Sequence, residues 1–145
     1  MVTVSKLGKN DDVSAFFKFA WDVYKPYPMW VPPIIQQVKP FLEGKSLFFE
    51  HSDYTLLAAE NDGKLSATAA VFYDENLNRH YSDQVGLIGF FEALPDQHEA
   101  VSLLLKAAEK NWVLKARGQY GLRSTAILCT GPVWQRMRTT VNLCL

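Results

Sequence analysis

One stretch limits what this chain can fold into more than any other. Residues 85–94, VGLIGFFEAL, run directly into PDQHEAVSLLLKAAEKNWVLKARG at 95–118, so a strand is followed without a linker by a long amphipathic helix. The first part is rich in Leu, Ile and Phe with glycines at 86 and 89, the composition of a central strand covered on both faces. Glycine inside such a run points to a bulge or a close backbone approach. In the second part Asp96 is placed to cap the first helical turn, with Glu99 reaching back from three residues on. Val101, Leu104, Leu105, Ala108 and Trp112 recur at helical spacing as one apolar stripe, which leaves Lys106, Glu109, Lys110 and Lys115 to water. Lys115, Arg117 and Gly118 predict the C-terminus of that helix. Open α/β sheets bind ligands where a strand end meets a helix start, so this junction is the first place to look for function.

A chain of 145 residues, 48% apolar, is the size and composition of one globular domain. Its 15 basic and 15 acidic residues cancel, which leaves no electrostatic footprint for nucleic acid or an anionic membrane. No window approaches the ~20 apolar residues of a membrane span, and the N-terminus lacks the apolar core of a secretion signal. The expectation is a cytoplasmic protein. Cys129 and Cys144 lack CxxC spacing and a neighbouring histidine, so they are read as free thiols and no metal site is expected.

Val2 to Leu7 alternates weakly and predicts a short strand, after which Asn10, Asp11 and Asp12 offer caps to the helix VSAFFKFAWDVYK. Val13, Phe16, Phe17, Ala20, Trp21 and Tyr24 fall on one broad face of that helix and are assigned to the core. Four prolines between residues 26 and 33, in KPYPMWVPP, then force an extended path. That segment admits three readings: a packed connector, a stiff loop presenting Tyr27, Met29 and Trp30 to a substrate, or a polyproline ligand for a partner. A short helix, IIQQVKPFLEG, is bounded by Pro33 on one side and by Pro40 and Gly44 on the other. Two apolar runs flank Asn61-Asp62-Gly63-Lys64, the signal of a tight antiparallel hairpin. The small residues Ala67 to Ala70 on its second arm predict a face against which a helix packs closely. DENLNRHYSD, at 74–83, is read as a polar loop with a solvated His80.

The order strand, helix, helix, three strands, long helix, strand resembles the GNAT superfamily of acyl-CoA-dependent N-acyltransferases over about residues 1 to 118. Within it, YKPYPMWVPP, SLFFEH, LLAAENDGK, GFFEAL and a helix ending KARG follow one another as in an uncharacterised bacterial GNAT-like branch. The resemblance implies an α+β fold: a mixed, mostly antiparallel sheet with flanking helices that splays between its fourth and fifth strands and holds acyl-CoA in the wedge. It makes Val85 to Ala93 the fourth strand and puts the backbone of Phe90, Phe91 and Ala93 against the cofactor, where an amide polarises the thioester carbonyl. Glu92, at the end of that apolar strand, is the carboxylate placed to take a proton from an amine. Tyr27, Trp30 and Phe49 are assigned to the substrate side, because the proline-stiffened loop must cover the same sheet end.

Two departures from the pattern bear on acetyl-CoA or any other acyl-CoA. The superfamily places a Gln or Arg and a Gly-rich loop before the long helix to hold the CoA pyrophosphate. Here Leu94-Pro95-Asp96-Gln97-His98-Glu99 has no glycine and puts two carboxylates at that amide end. Ala67-Thr68 also stands where the narrower branch often carries Gly-Arg. Alternatives to acyl transfer to a small amine are therefore a non-catalytic, truncated or degenerate GNAT-like binding domain, and a proline-motif interaction protein.

Residues 119–145 contain no Asp, Glu or Lys, and only RSTAILCTGP within them offers a strand. They are read as an atypical tail after a lobe at 1–118, with most of the second lobe missing. Val133, Trp134, Met137, Val141 and Leu143 give the tail the composition of an interface, and a homodimer with Trp134 near its centre is expected.

Overall fold

The computed structural model describes residues 1–7, 11–81, 85–120 and 126–129. Its elements are β1 (Val2–Leu7), α1 (Ser14–Tyr24), α2 (Ile35–Leu42), β2 (Ser52–Asn61), β3 (Lys64–Asp74), α3 (Glu75–Tyr81), β4 (Val85–Ala93), α4 (His98–Tyr120) and β5 (Ala126–Cys129). The five strands form one sheet in chain order, antiparallel from β1 through β4, with β5 added parallel to β4. This is the α+β arrangement expected from the sequence.

The β2–β3 hairpin closes on Asp62 and Gly63, both at positive φ (50° and 76°), while Asn61 pairs with Lys64. Those are the angles of a two-residue turn whose twist matches its strands, and Gly63 meets them without strain. Along the strands, alternate residues divide between two cores. Leu57, Ala59, Ala67, Ala69 and Val71 face one side, where Ala100, Leu104 and Ala108 of α4 cover them. Leu56, Ala70 and Phe72 face the other, against Val13 and Phe16 of the α1 region and Leu42 of α2. Alanines at 67 and 69, both fully buried, leave room for the α4 backbone to come close.

Several local expectations are corrected. Residues 75–81 form a helix rather than a loop: Asp74 Oδ1 accepts a hydrogen bond from Leu77 N at 3.1 Å, and Arg79 pairs with Glu75 one turn back at 3.0 Å. Asp96 does not cap α4. It sits at φ 61°, outside the extended region a cap needs, and the helix begins at His98 and runs past Gly118 to Tyr120. Pro40 lies inside α2, and the helix ends at Leu42, two residues before Gly44, which adopts φ 75°. In α1 the buried residues are Phe16, Phe19, Ala20 and Val23, so the core stripe is rotated away from Phe17, Trp21 and Tyr24, which are only half-buried. Of the tail, β5 and the end of α4 are described; Trp134 and its neighbours, and with them the expected dimer contact, lie outside the described residues.

Candidate active site at the bulge of β4

The site begins with a break in the β3–β4 ladder. Thr68 pairs with Glu92 and Ala70 with Gly89, so Phe90 and Phe91 together stand opposite Ala69, two residues against one. Such a bulge inserts one residue and changes which way the following side chains point. Phe90 absorbs the geometry at φ 49°, a conformation a bulky side chain adopts only at a cost of about 1–2 kcal/mol per residue. Before the bulge Leu87 belongs to the α1/α2 core and Ile88 to the α4 core; after it Phe91 and Ala93 pack on the α4 side. Unbroken alternation from Ile88 would have sent residue 92 under α4 among Ala100, Leu104 and Ala108. The inserted residue sends Glu92 to the opposite face, where it meets α1.

Replacing Phe90 separates the strain from the ring. Phe90→Ala removes the ring and keeps the unfavourable φ, whereas Phe90→Gly removes both, so the glycine variant should be the more stable by about 1 kcal/mol in urea unfolding. An alanine variant as stable as the glycine one would mean that the bulge is not strained.

On the α1 face Tyr24 donates its hydroxyl to Glu92. Burial raises the Glu92 carboxyl to about 6, while the Tyr24 hydroxyl bond pulls the other way. Burial, then the charge of Glu92, push the Tyr24 phenol well above its usual range, so it stays a proton donor. Glu92 Oε2 is buried with no protein partner, and Thr68 Oγ1, on the residue paired with it across the ladder, is likewise unpaired. Two polar atoms of this kind on adjacent strands suit a ligand that brings its own donors and acceptors.

Aromatic rings near β4 fall into two groups. Tyr24 stacks on Trp30 at 4.9 Å between centroids and 15° between planes, and meets the edge of Tyr27 at 6.2 Å; Trp21 closes on Trp30 at 5.4 Å. The second group surrounds Phe41, which touches Phe49 at 5.0 Å, Phe72 at 5.7 Å and Phe90 at 5.8 Å. Of the three residues assigned to substrate, Tyr27 and Trp30 thus adjoin Glu92 through Tyr24, while Phe49 adjoins Phe90 through Phe41. Phe49 also lines an open hollow of about 260 Å³ with Gly44 and Glu50, which Glu92 does not line. Tyr24 is the residue that sequence reasoning missed. Its helical spacing matched the apolar stripe, and only the exposed edge of that stripe, plus a hydroxyl needing a partner, could have marked it.

The β4–β5 ladder runs from Val85↔Ala126 to Ile88↔Cys129, so among the described residues the backbone of 89–93 has no strand partner on the β5 side. Among the described residues that stretch of edge begins at the bulge, where an extended ligand arm can hydrogen-bond. The N-terminus of α4 is different. Asp96 and Glu99 are both exposed there and no glycine opens the approach, so this helix end does not fit a diphosphate. Among the described residues no group of acidic, histidine or cysteine side chains could hold a metal ion.

An antiparallel sheet with a bulged fourth strand, backed by one long helix, is similar to the fold of GNAT acetyltransferases of known structure. It matches an aminoglycoside acetyltransferase from an uncultured soil metagenomic sample, solved with sisomicin, at TM-score 0.59 and 12% identity over 99% of this chain and 90% of that one. A predicted acetyltransferase from Clostridium acetobutylicum, solved with acetyl-CoA, matches at TM-score 0.54 and 16% identity over 100% and 94%. A tandem GNAT protein of the clavulanic acid biosynthesis pathway matches at 0.55 and 11% identity; the alignment covers 79% of this chain and 34% of that longer protein. No protein-family model and no curated sequence matches the chain.

Proposed function

We propose that this protein transfers an acyl group from an acyl thioester to a small primary amine, with Glu92 as general base. The observation that carries the reading is the bulge that turns a half-buried carboxylate, held near 6, onto a face where one of its oxygens has no protein partner. At neutral pH that carboxylate is mostly ionised and still basic enough to take a proton from an ammonium group. The freed nitrogen then forms a bond to the acyl carbon as the carbon–sulfur bond breaks, and the departing thiolate takes up the second nitrogen proton, leaving a neutral amide and a free thiol. An acyl-CoA supplies the activated acyl carbon when bound; this chain supplies the base, and the β4 backbone beyond Ile88, which has no β5 partner among the described residues, supplies amides for the carbonyl oxygen and the thioester arm.

The adenine-nucleotide half of that donor finds no diphosphate cradle at α4, so affinity should reside in the pantetheine arm. The non-catalytic reading draws on the same observation. Release of free thiol from acetyl-CoA in the presence of a primary amine supports transfer. No turnover together with no thermal stabilisation at millimolar acetyl-CoA would leave a binding domain instead, since saturation at a hundred times Kd adds roughly 2.7 kcal/mol.

Tyr24→Phe isolates the hydrogen bond. Because that bond lowers the Glu92 value against burial, its loss should move the acid limb of the pH–rate profile upward from about 6. A limb unmoved in the variant would mean that the hydroxyl does not act on the base.

The proline segment supports the substrate side over partner binding, since Trp30 is stacked on Tyr24; Met29 and Val31 are turned to solvent. Among the described residues no helix is long and apolar enough to cross a membrane. A cytoplasmic site of action, no nucleic-acid partner and a homodimer through residues 119–145 complete the proposal, and sedimentation as a 16.4 kDa monomer would remove the last.

A further inference from the structure

Thr68 lies on β3 and shares the α1 face of the sheet with Ala70 and Glu92. It is 1% exposed, and its Oγ1 makes no hydrogen bond among the described residues. Strand geometry limits where a partner can come from. Along β3 the neighbours on that face are Ser66 and Ala70; the residue paired with Thr68 on β2 is Ala58, and on β4 it is Glu92. Ala58 and Ala70 carry no polar side-chain atom, and the Ser66 hydroxyl donates to Lys64 O at 3.0 Å. Glu92 remains, with Oε2 buried and unpaired like Thr68 Oγ1. Residues opposed in an antiparallel ladder hold their Cβ atoms about 4.5–5.5 Å apart, close enough for a hydroxyl to reach a carboxylate. Backbone register thus sets the two groups side by side, and rotation of the side chains between staggered wells is what a hydrogen bond still needs.

A hydroxyl is the right chemistry for that place. A general base changes from carboxylate to carboxylic acid when it takes a proton, so a partner that can only donate fits one of the two states. Threonine has one O–H donor and two lone pairs. Thr68 can donate to ionised Oε2 and, with its hydrogen turned away, accept from the proton that Glu92 has gained; it loses no proton in either state. Of the titratable groups on the packed elements, Tyr24 of α1 acts on Glu92 and Tyr27 acts on Tyr24 in turn, while Lys18 and Asp22 of α1 are exposed. Between Ser66 and Tyr73 of β3, and on β4 apart from Glu92, the sequence has no charged residue.

We infer that Thr68 is a positioning residue for Glu92: its hydroxyl bonds to Oε2 and holds the carboxyl group toward α1 in both protonation states. This deepens the acyl-transfer reading and rests on it for the source of the proton, but the hydrogen bond is measurable without any substrate.

Thr68→Val, which keeps the shape and removes the hydroxyl, tests it in the full chain, with Thr68→Ala in its place if valine does not fold. Loss of a donor to the ionised form should move the carbon-13 NMR titration of Glu92 upward from about 6, and Thr68→Ser should return it toward the wild type. Stability separates the alternatives by sign. Valine in place of an orphaned hydroxyl stabilises, whereas valine in place of a bonded one leaves Oε2 unsatisfied, so Thr68→Val should unfold at lower urea than the wild type at pH 8. With acetyl-CoA and a primary amine, kcat should fall about tenfold, the effect of losing a hydrogen bond to a charged group, with KM nearly unchanged. An unmoved Glu92 titration in the folded valine or alanine variant overturns the inference, as does a valine variant more stable than the wild type at pH 8. A serine variant that titrates like the valine one overturns it too, and so does a kcat within twofold of the wild type. If the titration moves as expected but no protein releases thiol from acetyl-CoA, the Thr68–Glu92 bond stands and acyl transfer falls.

Discussion

Glu92→Gln should lower kcat for acyl transfer by about 10²–10⁴-fold, the usual contribution of a positioned general base, while leaving the fold intact. Glutamine keeps the shape and can still accept from the Tyr24 hydroxyl, so the loss isolates proton transfer. Stability gives an independent sign. The carboxyl titrates near 6 in the folded chain, above the ~4.3 of an unfolded one, so the native state holds the proton more tightly. The resulting stabilisation is complete below about pH 4 and is lost as pH rises through 6. Glutamine has no charge to bury, so the variant should lose less stability than the wild type between pH 4 and 8. Activity within a few-fold of wild type would remove Glu92 from the chemistry.

The largest effect on stability is expected at Leu104. It is fully buried between Ala100 and Ala108 on its own helix and faces Ala67 and Ala69 on β3, all of them at most 1% exposed. Surrounding alanines are too short to move into a space left by a leucine. Leu104→Ala should therefore fall high in the range for such truncations, about 3–5 kcal/mol in urea unfolding. A loss below about 1 kcal/mol would show that α4 is not clamped on the sheet by this contact.

Legibility in the sequence followed the range of the forces involved. The hairpin at Asn61–Lys64 and the long helix after Pro95 were readable because turn chemistry and helical periodicity are local. Helix α3 was equally local, with Asp74 as cap and the Glu75–Arg79 pair one turn apart, but its seven residues are too few for an apolar stripe to appear. Position was harder than existence. Periodicity assigned Phe17, Trp21 and Tyr24 to the face of α1 that packs inward, yet a period of 3.6 does not tell the centre of a stripe from its flank. Gly89 hinted at a bulge, but the residue that adopts positive φ is Phe90, because the mismatch between β3 and β4 falls there. Glu92 could be singled out as a carboxylate ending an apolar strand. Its partner could not, since Tyr24 is brought to it only by the packing of α1 on β4.

The central claim is that the bulge presents a basic, half-buried carboxylate beside Tyr24, and a carbon-13 NMR titration of the Glu92 side-chain carboxyl tests it most directly. The wild-type chain should titrate near 6, and Tyr24→Phe should titrate higher. A Glu92 carboxyl titrating at the ordinary ~4.3 of a solvated glutamate in both proteins would contradict it.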